Sequence, residues 1–356
     1  MGASRTRNVW AAGGLALVLA GFAGCSTLGY YLQAMDGQME LSRKARPIPQ
    51  VLSDERTSAE LKLKLEQVQQ IREFASRALA LPDNDSYRRY ADLRRPYVVW
   101  NVFATEEFSL VPEQWCFPIA GCVGYRGYFS QASAEKFAAG LRRRDLDVYV
   151  GGVLAYSTLG WMDDPVLNTF IQYPDTEIAR LIFHELAHQV AYLPGDTTFN
   201  ESFATAVELE GVRRWLDGHA TPDQRAAFEA SQTRRLEFVE LIARCRERLR
   251  AVYQTGADPP AKRAAKARAF AELRTEYSKL KQTWGGFSGY DWWFNQPLNN
   301  AQLASVALYT QLVPGFQKLL AGSGGDLPTF FDAVRKLTQV PEGERQAALG
   351  SVTGDW

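Results

Sequence analysis

Histidine is the scarcest informative residue in this chain, with only three in 356 positions. Cysteine is nearly as rare, at four. These counts exclude a disulfide-dense mini-scaffold and an array of Cys/His zinc modules. A surplus of charge is missing too, since 40 Lys and Arg balance 40 Asp and Glu. No basic excess is available to neutralise phosphates, which argues against nucleic acid as a partner. No apolar run reaches the length of a comfortable membrane span, and there is no internal repeat or low-complexity tract. What is present is 46% hydrophobic and 12% aromatic residues, ample for a large buried core.

The N-terminus reads as an address. Arg5 and Arg7 precede an uncharged, mostly apolar run of fifteen residues, Val9 to Ala23, followed by Gly24-Cys25-Ser26. A charged start, a short apolar stretch and small residues at the cut describe a secretory signal. Cysteine directly after Ala-Gly resembles a bacterial lipoprotein signal, with Phe22 where such signals usually carry Leu. The resemblance implies cleavage of residues 1–24, a lipid on Cys25 and, from Ser26, sorting to the outer membrane facing the periplasm. The remaining chain would hold 38 basic and 40 acidic residues, so the lipid rather than charge would hold the membrane.

Cys116 and Cys122 bracket Phe-Pro-Ile-Ala-Gly, where Pro118 and Gly121 can turn the chain. A disulfide there suits an oxidising compartment and would contribute roughly 2 kcal/mol, with two buried free thiols as the alternative. Cys245 lies in a helical pattern and reads as a packed free thiol.

Residues 25–52 read as a tether, extended over 26–50. Residues 53–95 form an N-terminal helical region, with apolar positions at threes and fours from Leu61 to Leu79. Residues 96–220 hold the core. There Tyr97–Phe103, Gly124–Phe129 and Asp147–Val153 have the β-branched and aromatic texture of strands, with a helix over Ala132–Arg144. Residues 221–284 form a helical hairpin broken at Gly256–Pro260, and 285–356 an aromatic loop and helical region.

The chemistry sits in the core. A helix beginning near Asp175-Thr176-Glu177 and stopping at Pro194-Gly195 contains His184-Glu185-Leu186-Ala187-His188. Residues four apart turn by about 400°, so both imidazoles leave one face, one turn apart, as two ligands of one metal ion require. Glu185 lies about 100° round the helix, placed for a water rather than the metal. The bland alternative is a pair of core histidines beside a surface glutamate. A second helix, capped by Asn200, would carry Glu201 in its first turn, where the helix dipole keeps a carboxylate ionised. Glu208, seven positions on, shares its face and could accept a ring N–H from a ligand histidine.

Phe183–Gln189 followed by Asn200-Glu201-Ser202-Phe203-Ala204-Thr205 and Glu208 resembles the gluzincin metallopeptidases. Blocks such as Trp115–Pro118, Gly121–Phe129, Ala155–Trp161 and Asn299–Ala301 resemble the predicted zinc aminopeptidase lipoproteins of Gram-negative bacteria. The resemblance implies an α+β fold, a gluzincin-like zinc metallopeptidase core with a small mixed sheet and extensive added helices. It implies one Zn²⁺ per chain on His184, His188 and Glu201, Glu185 as general base, and a peptide substrate. Tyr309, Tyr290 and Tyr156 are candidate oxyanion donors, with Tyr309 preferred for its nearness to Asn299 and Asn300. His219 reads as a surface residue. Val153–Gly160 is a candidate edge strand for substrate. The chain departs from the large aminopeptidases in lacking a Gly-x-Met-Glu-Asn strand before the metal helix. Gly37-Gln38-Met39-Glu40-Leu41 matches in letters but lies in the tether region. Ala191 and Pro194 exclude the metzincin pattern. The competing functions are a zinc endopeptidase acting on exported proteins and a non-catalytic metal-binding envelope lipoprotein.

Overall fold

The computed structural model describes residues 29–117, 121–307 and 311–350. In chain order its elements are α1 (29–44), β1 (Arg46–Pro47), α2 (Ile48–Ser53), α3 (Ala59–Arg77), β2 (Arg89–Ala91) and β3 (Val99–Thr105). Then come β4 (Trp115–Phe117), β5 (Gly121–Val123), β6 (Arg126–Tyr128), α4 (Gln131–Arg142), β7 (Asp147–Val153), β8 (Val166–Leu167), α5 (Asp175–Ala187) and α6 (Thr197–His219). The C-terminal part is α7 (Pro222–Tyr253), α8 (Pro259–Thr283), α9 (Asp291–Phe294), α10 (Asn300–Ala307), α11 (Val313–Gly322), α12 (Leu327–Leu337) and α13 (Glu342–Ala348). Among the described residues the architecture is a helix-rich α+β one with three small sheets.

The organising element is α6, in which ten consecutive residues, 199–208, are buried. A helix enclosed on every side must lie at the centre of its neighbours. It packs along α5, with α3 and α11 against the pair. Phe183, Phe199, Phe203, Phe316 and Phe330, all fully buried, fill the space between these helices. Gly211 makes the close approach possible, since a Cβ there would stand 2.7 Å from the Phe183 ring and 2.9 Å from Leu79.

The main sheet has the order β6-β3-β7 and is antiparallel throughout. Every residue of β3 is buried, because α4 covers one face and α10 also packs on β3 and β7. The sheet β1-β2-β8 is mixed, and β4-β5 is a hairpin. The helices α7 and α8 pair over a separate aromatic core that includes Phe238, Phe270, Tyr277, Trp293 and Phe294. Thr221 closes a capping box on α7, and Asp258 caps α8 after the break.

The tether expected for residues 25–52 is corrected. Residues 29–44 and 48–53 are helical, and Leu41, Ala45, Ile48 and Val51 are buried in the main core. Prolines 47 and 49 mark the start of α2 rather than an extended linker, since proline fits the first turn of a helix. Cys25 and the expected signal, residues 1–24, lie outside the described residues. Among the described residues no helix is long and apolar enough to cross a membrane.

Candidate metal centre

Helices α5 and α6 bring the sequence-predicted ligands together. His184 is in the last turn of α5, and His188 is its C-cap with helical dihedrals of φ −59° and ψ −23°. The helix therefore ends earlier than expected but keeps the i, i+4 relation between the imidazoles. Their ring centroids are 4.9 Å apart. Glu201 enters from α6, its Oε2 lying 3.2 Å from His184 Nε2 and 3.7 Å from His188 Nε2. One ligating atom from each of the three lies within 4.8 Å of the others, and among the described residues no other such group occurs.

The start of α6 differs from expectation. Asp196, not Asn200, is the N-cap, accepting from Phe199 N at 2.9 Å. Glu201 is consequently in the second turn. Asn200 instead clasps the connecting loop: its Oδ1 accepts from Leu193 N at 2.7 Å, and its Nδ2 donates to Leu193 O at 2.8 Å. The loop between the ligand helices is thereby tied to the residue that precedes Glu201.

Behind the triad, Glu208 is fully buried and lies 2.8 Å from His184 Nδ1. Arg180 donates to both its oxygens at 3.2 Å, and Arg235 of α7 to one of them at 2.7 Å. Burial opposes the charge of Glu208, but Arg180, Arg235 and His184 outweigh it and hold the carboxyl well below its usual range. An acceptor so firmly ionised fixes the proton of His184 on Nδ1 and leaves Nε2 turned toward Glu201.

The two histidines respond oppositely to enclosure. Burial would lower His184, but its hydrogen bonds with Glu201 and Glu208 prevail and push it up to about 10. Burial pulls His188 down to about 4, against the attraction of Glu201. Its Nδ1 is buried without a hydrogen-bond partner among the described residues. A neutral imidazole, a carboxylate and a second imidazole whose Nε2 faces that carboxylate form an electron-pair-rich set. It suits a borderline cation such as zinc, whose catalytic sites include two His and one Glu. The residues present fit that ion.

Glu185 keeps part of its surface open yet is packed about by protein. Desolvation pushes its carboxyl up to about 8, with His184 acting the other way and Glu201 and Asp164 adding repulsion. Asp164 is 2% exposed and is itself raised by burial to about 6. Its Oδ2 accepts from Thr158 N at 3.0 Å, and Ser157 Oγ of the same loop donates to Glu185 O at 3.5 Å. The loop after β7 is thus seated on the metal helix.

The expected phenol, Tyr309, lies outside the described residues. Tyr290 stacks on Phe238 at 4.3 Å in the aromatic core of the hairpin. Tyr156 contacts Phe129 edge-on and lies within electrostatic reach of Glu185; burial raises its hydroxyl to about 12. Tyr125, which the sequence did not single out, is in electrostatic reach of both Glu201 and Glu185, and burial holds its hydroxyl well above the usual phenol range. Only its place in an aromatic strand block could have flagged it. Asp164, Arg180 and Arg235 were also missed, because isolated charges on separate elements carry no spacing signal. His219 stacks on Trp215 at 3.8 Å and is exposed at the end of α6. β7 ends at Val153, so the candidate edge strand over Val153–Gly160 is corrected. Beyond it the chain turns, with Leu159 and Gly160 at positive φ.

This arrangement defines a helix-borne His-Glu-x-x-His site completed by a glutamate from the next helix. The family model described as "Putative aminopeptidase" matches residues 29–349, and the chain belongs to that family. No curated protein and no solved structure matches it. Membership supports a peptidase and implies a peptide substrate.

Proposed function

We propose that the protein is a zinc-dependent aminopeptidase held at the bacterial outer membrane by a lipid on Cys25. The observation that carries the zinc peptidase reading is the convergence of His184, His188 and Glu201, with Glu185 on the same turn and Glu208 bonded behind His184. Family membership supports the peptidase class, and the sequence around Cys25 supports the anchor.

His184, His188 and Glu201 would hold the ion. Zinc, when bound, polarises the scissile carbonyl and makes water acidic enough to act as a nucleophile near neutral pH. Glu185 takes the proton of the attacking water on its carboxylate and returns it to the leaving amine nitrogen. Glu208 keeps the His184 proton on Nδ1, so that Nε2 presents a lone pair to the ion. Tyr125 and Tyr156 each carry a hydroxyl that is protonated near neutral pH and able to donate a hydrogen bond.

The test uses purified protein with free and N-acetylated peptides, with and without a chelator. Chelator-sensitive cleavage of the free peptides alone supports the aminopeptidase. Cleavage of both kinds replaces it with an endopeptidase, and tightly bound zinc without cleavage of either replaces it with a binding lipoprotein.

A further inference from the structure

The loop between the two ligand helices meets a second element that the reaction itself does not require. Gly121, at the start of β5, sits with φ +73° directly against Pro194 and Gly195. A Cβ on Gly121 would stand 2.4 Å from Gly195 N, 2.8 Å from Gly195 Cα and 2.8 Å from the Pro194 carbonyl carbon. These are backbone atoms, so no side-chain rotation relieves the collision. The contact is backbone against backbone, and only glycine permits it.

The hairpin is itself constrained on both sides. Cys116 and Cys122 face each other across β4 and β5 and are joined by a disulfide. Phe117 stacks on Tyr30 of α1 with ring centroids 5.3 Å apart. The far side of the loop is held too, by the Asn200 clasp on Leu193 and by Arg345, which pairs with Asp196 at 2.9 Å. The loop therefore lies between a cross-linked hairpin and the first turns of α6.

We infer that the disulfide-closed hairpin is a positioning device for the metal set. It wedges Gly121 against Gly195 and so fixes the loop that sets Glu201 relative to His188. Gly121 and the Cys116–Cys122 bond act through the loop and are outside the candidate ligand set. The metal-affinity consequence rests on the zinc reading above; the effect on loop order does not.

The test has two arms on the full chain. In the first, amide hydrogen exchange is followed in metal-free protein, where opening of the loop is read without zinc. The disulfide is cleaved with a water-soluble phosphine: two electrons and two protons give two thiols, and the phosphine takes an oxygen from water to become its oxide. Segment 193–201 should exchange at least several-fold faster after reduction and in Gly121→Ala, while the separately cored α8 keeps its rates. In the second arm, zinc affinity is measured by competition with a chromophoric chelator. Reduction, Cys116→Ser/Cys122→Ser and Gly121→Ala should each weaken zinc by about tenfold or more, the size found when groups supporting a ligand are lost. Gly218→Ala is the control, because a Cβ there meets nothing within 4 Å. Unchanged exchange in segment 193–201 on both reduction and Gly121→Ala would overturn the proposal, whatever zinc does. Changed exchange with no zinc bound by the wild type would leave the hairpin's role standing and remove the metal reading instead.

Discussion

His184 is held between two carboxylates, its Nδ1 2.8 Å from Glu208 and its Nε2 3.2 Å from Glu201, so the Glu208 contact fixes which nitrogen faces the candidate ligand set. Glu208 is locked in turn by Arg180 from α5 and Arg235 from α7. The helical hairpin therefore reaches the candidate metal centre through the Arg235 guanidinium.

Glu208→Gln breaks that lock. It removes the charge that balances two arginines in a site where the carboxylate is fully buried. Losing one partner of a buried charge cluster costs about 3–5 kcal/mol, and losing a support of a ligand histidine costs about 10–100-fold in metal affinity. Urea titration of metal-free protein and zinc competition should show both losses. Unchanged zinc affinity would remove Glu208 from the centre.

Glu185→Gln should separate chemistry from binding. The amide cannot accept the proton of water, so turnover should fall by about 10²–10⁴-fold. Zinc stoichiometry should stay the same, because Glu185 is outside the ligand set. Kinetics and metal analysis on one preparation check both halves.

Asp164 predicts a pH dependence of stability. Its carboxyl is raised by burial from 3.8 to about 6. Between those values the folded protein holds a proton that the unfolded chain has released. Stability due to this group is thus full below the lower value, falls as pH rises through the window, and is lost above it. The loss is on the order of 2–3 kcal/mol. Asp164→Asn should flatten this part of the profile in urea titrations across that window. An unaltered slope would contradict the assignment.

Gly211→Ala should destabilise the helix pair. Its methyl would press on Phe183 and Leu79, and overpacking of this kind typically costs about 1–3 kcal/mol. Gly218→Ala lies in the same helix with open space around it, and should be neutral or gain up to about 1 kcal/mol. Thermal melts should show a lowered midpoint for Gly211→Ala and an unchanged or raised one for Gly218→Ala.

The site was legible where local periodicity carries chemistry. The interval between His184 and His188 fixes a shared helix face before any tertiary contact is known. The break at Gly256–Pro260 likewise places the turn between α7 and α8, because proline and a capping aspartate are local signals. Contacts between distant segments were not legible. Arg235 and Glu208 are 27 residues apart on different helices, and Gly121 meets Gly195 across a still longer stretch. Asn200 misled for a related reason: it is a good cap residue, but Asp196 stands four positions earlier and the helix begins there. The tether reading failed because Arg46-Pro47-Ile48-Pro49 looks extended locally, whereas burial of Ile48 and Val51 is decided by the rest of the core.

The most direct measurement of the central claim is zinc content and hydrolysis of a free-amine peptide on the same protein sample, before and after chelation. The account predicts about one zinc per chain, cleavage that disappears with the metal and returns when zinc is restored, and no return in Glu185→Gln. A metal-free protein that cleaves at the same rate, or a chain that takes up no zinc, would contradict it.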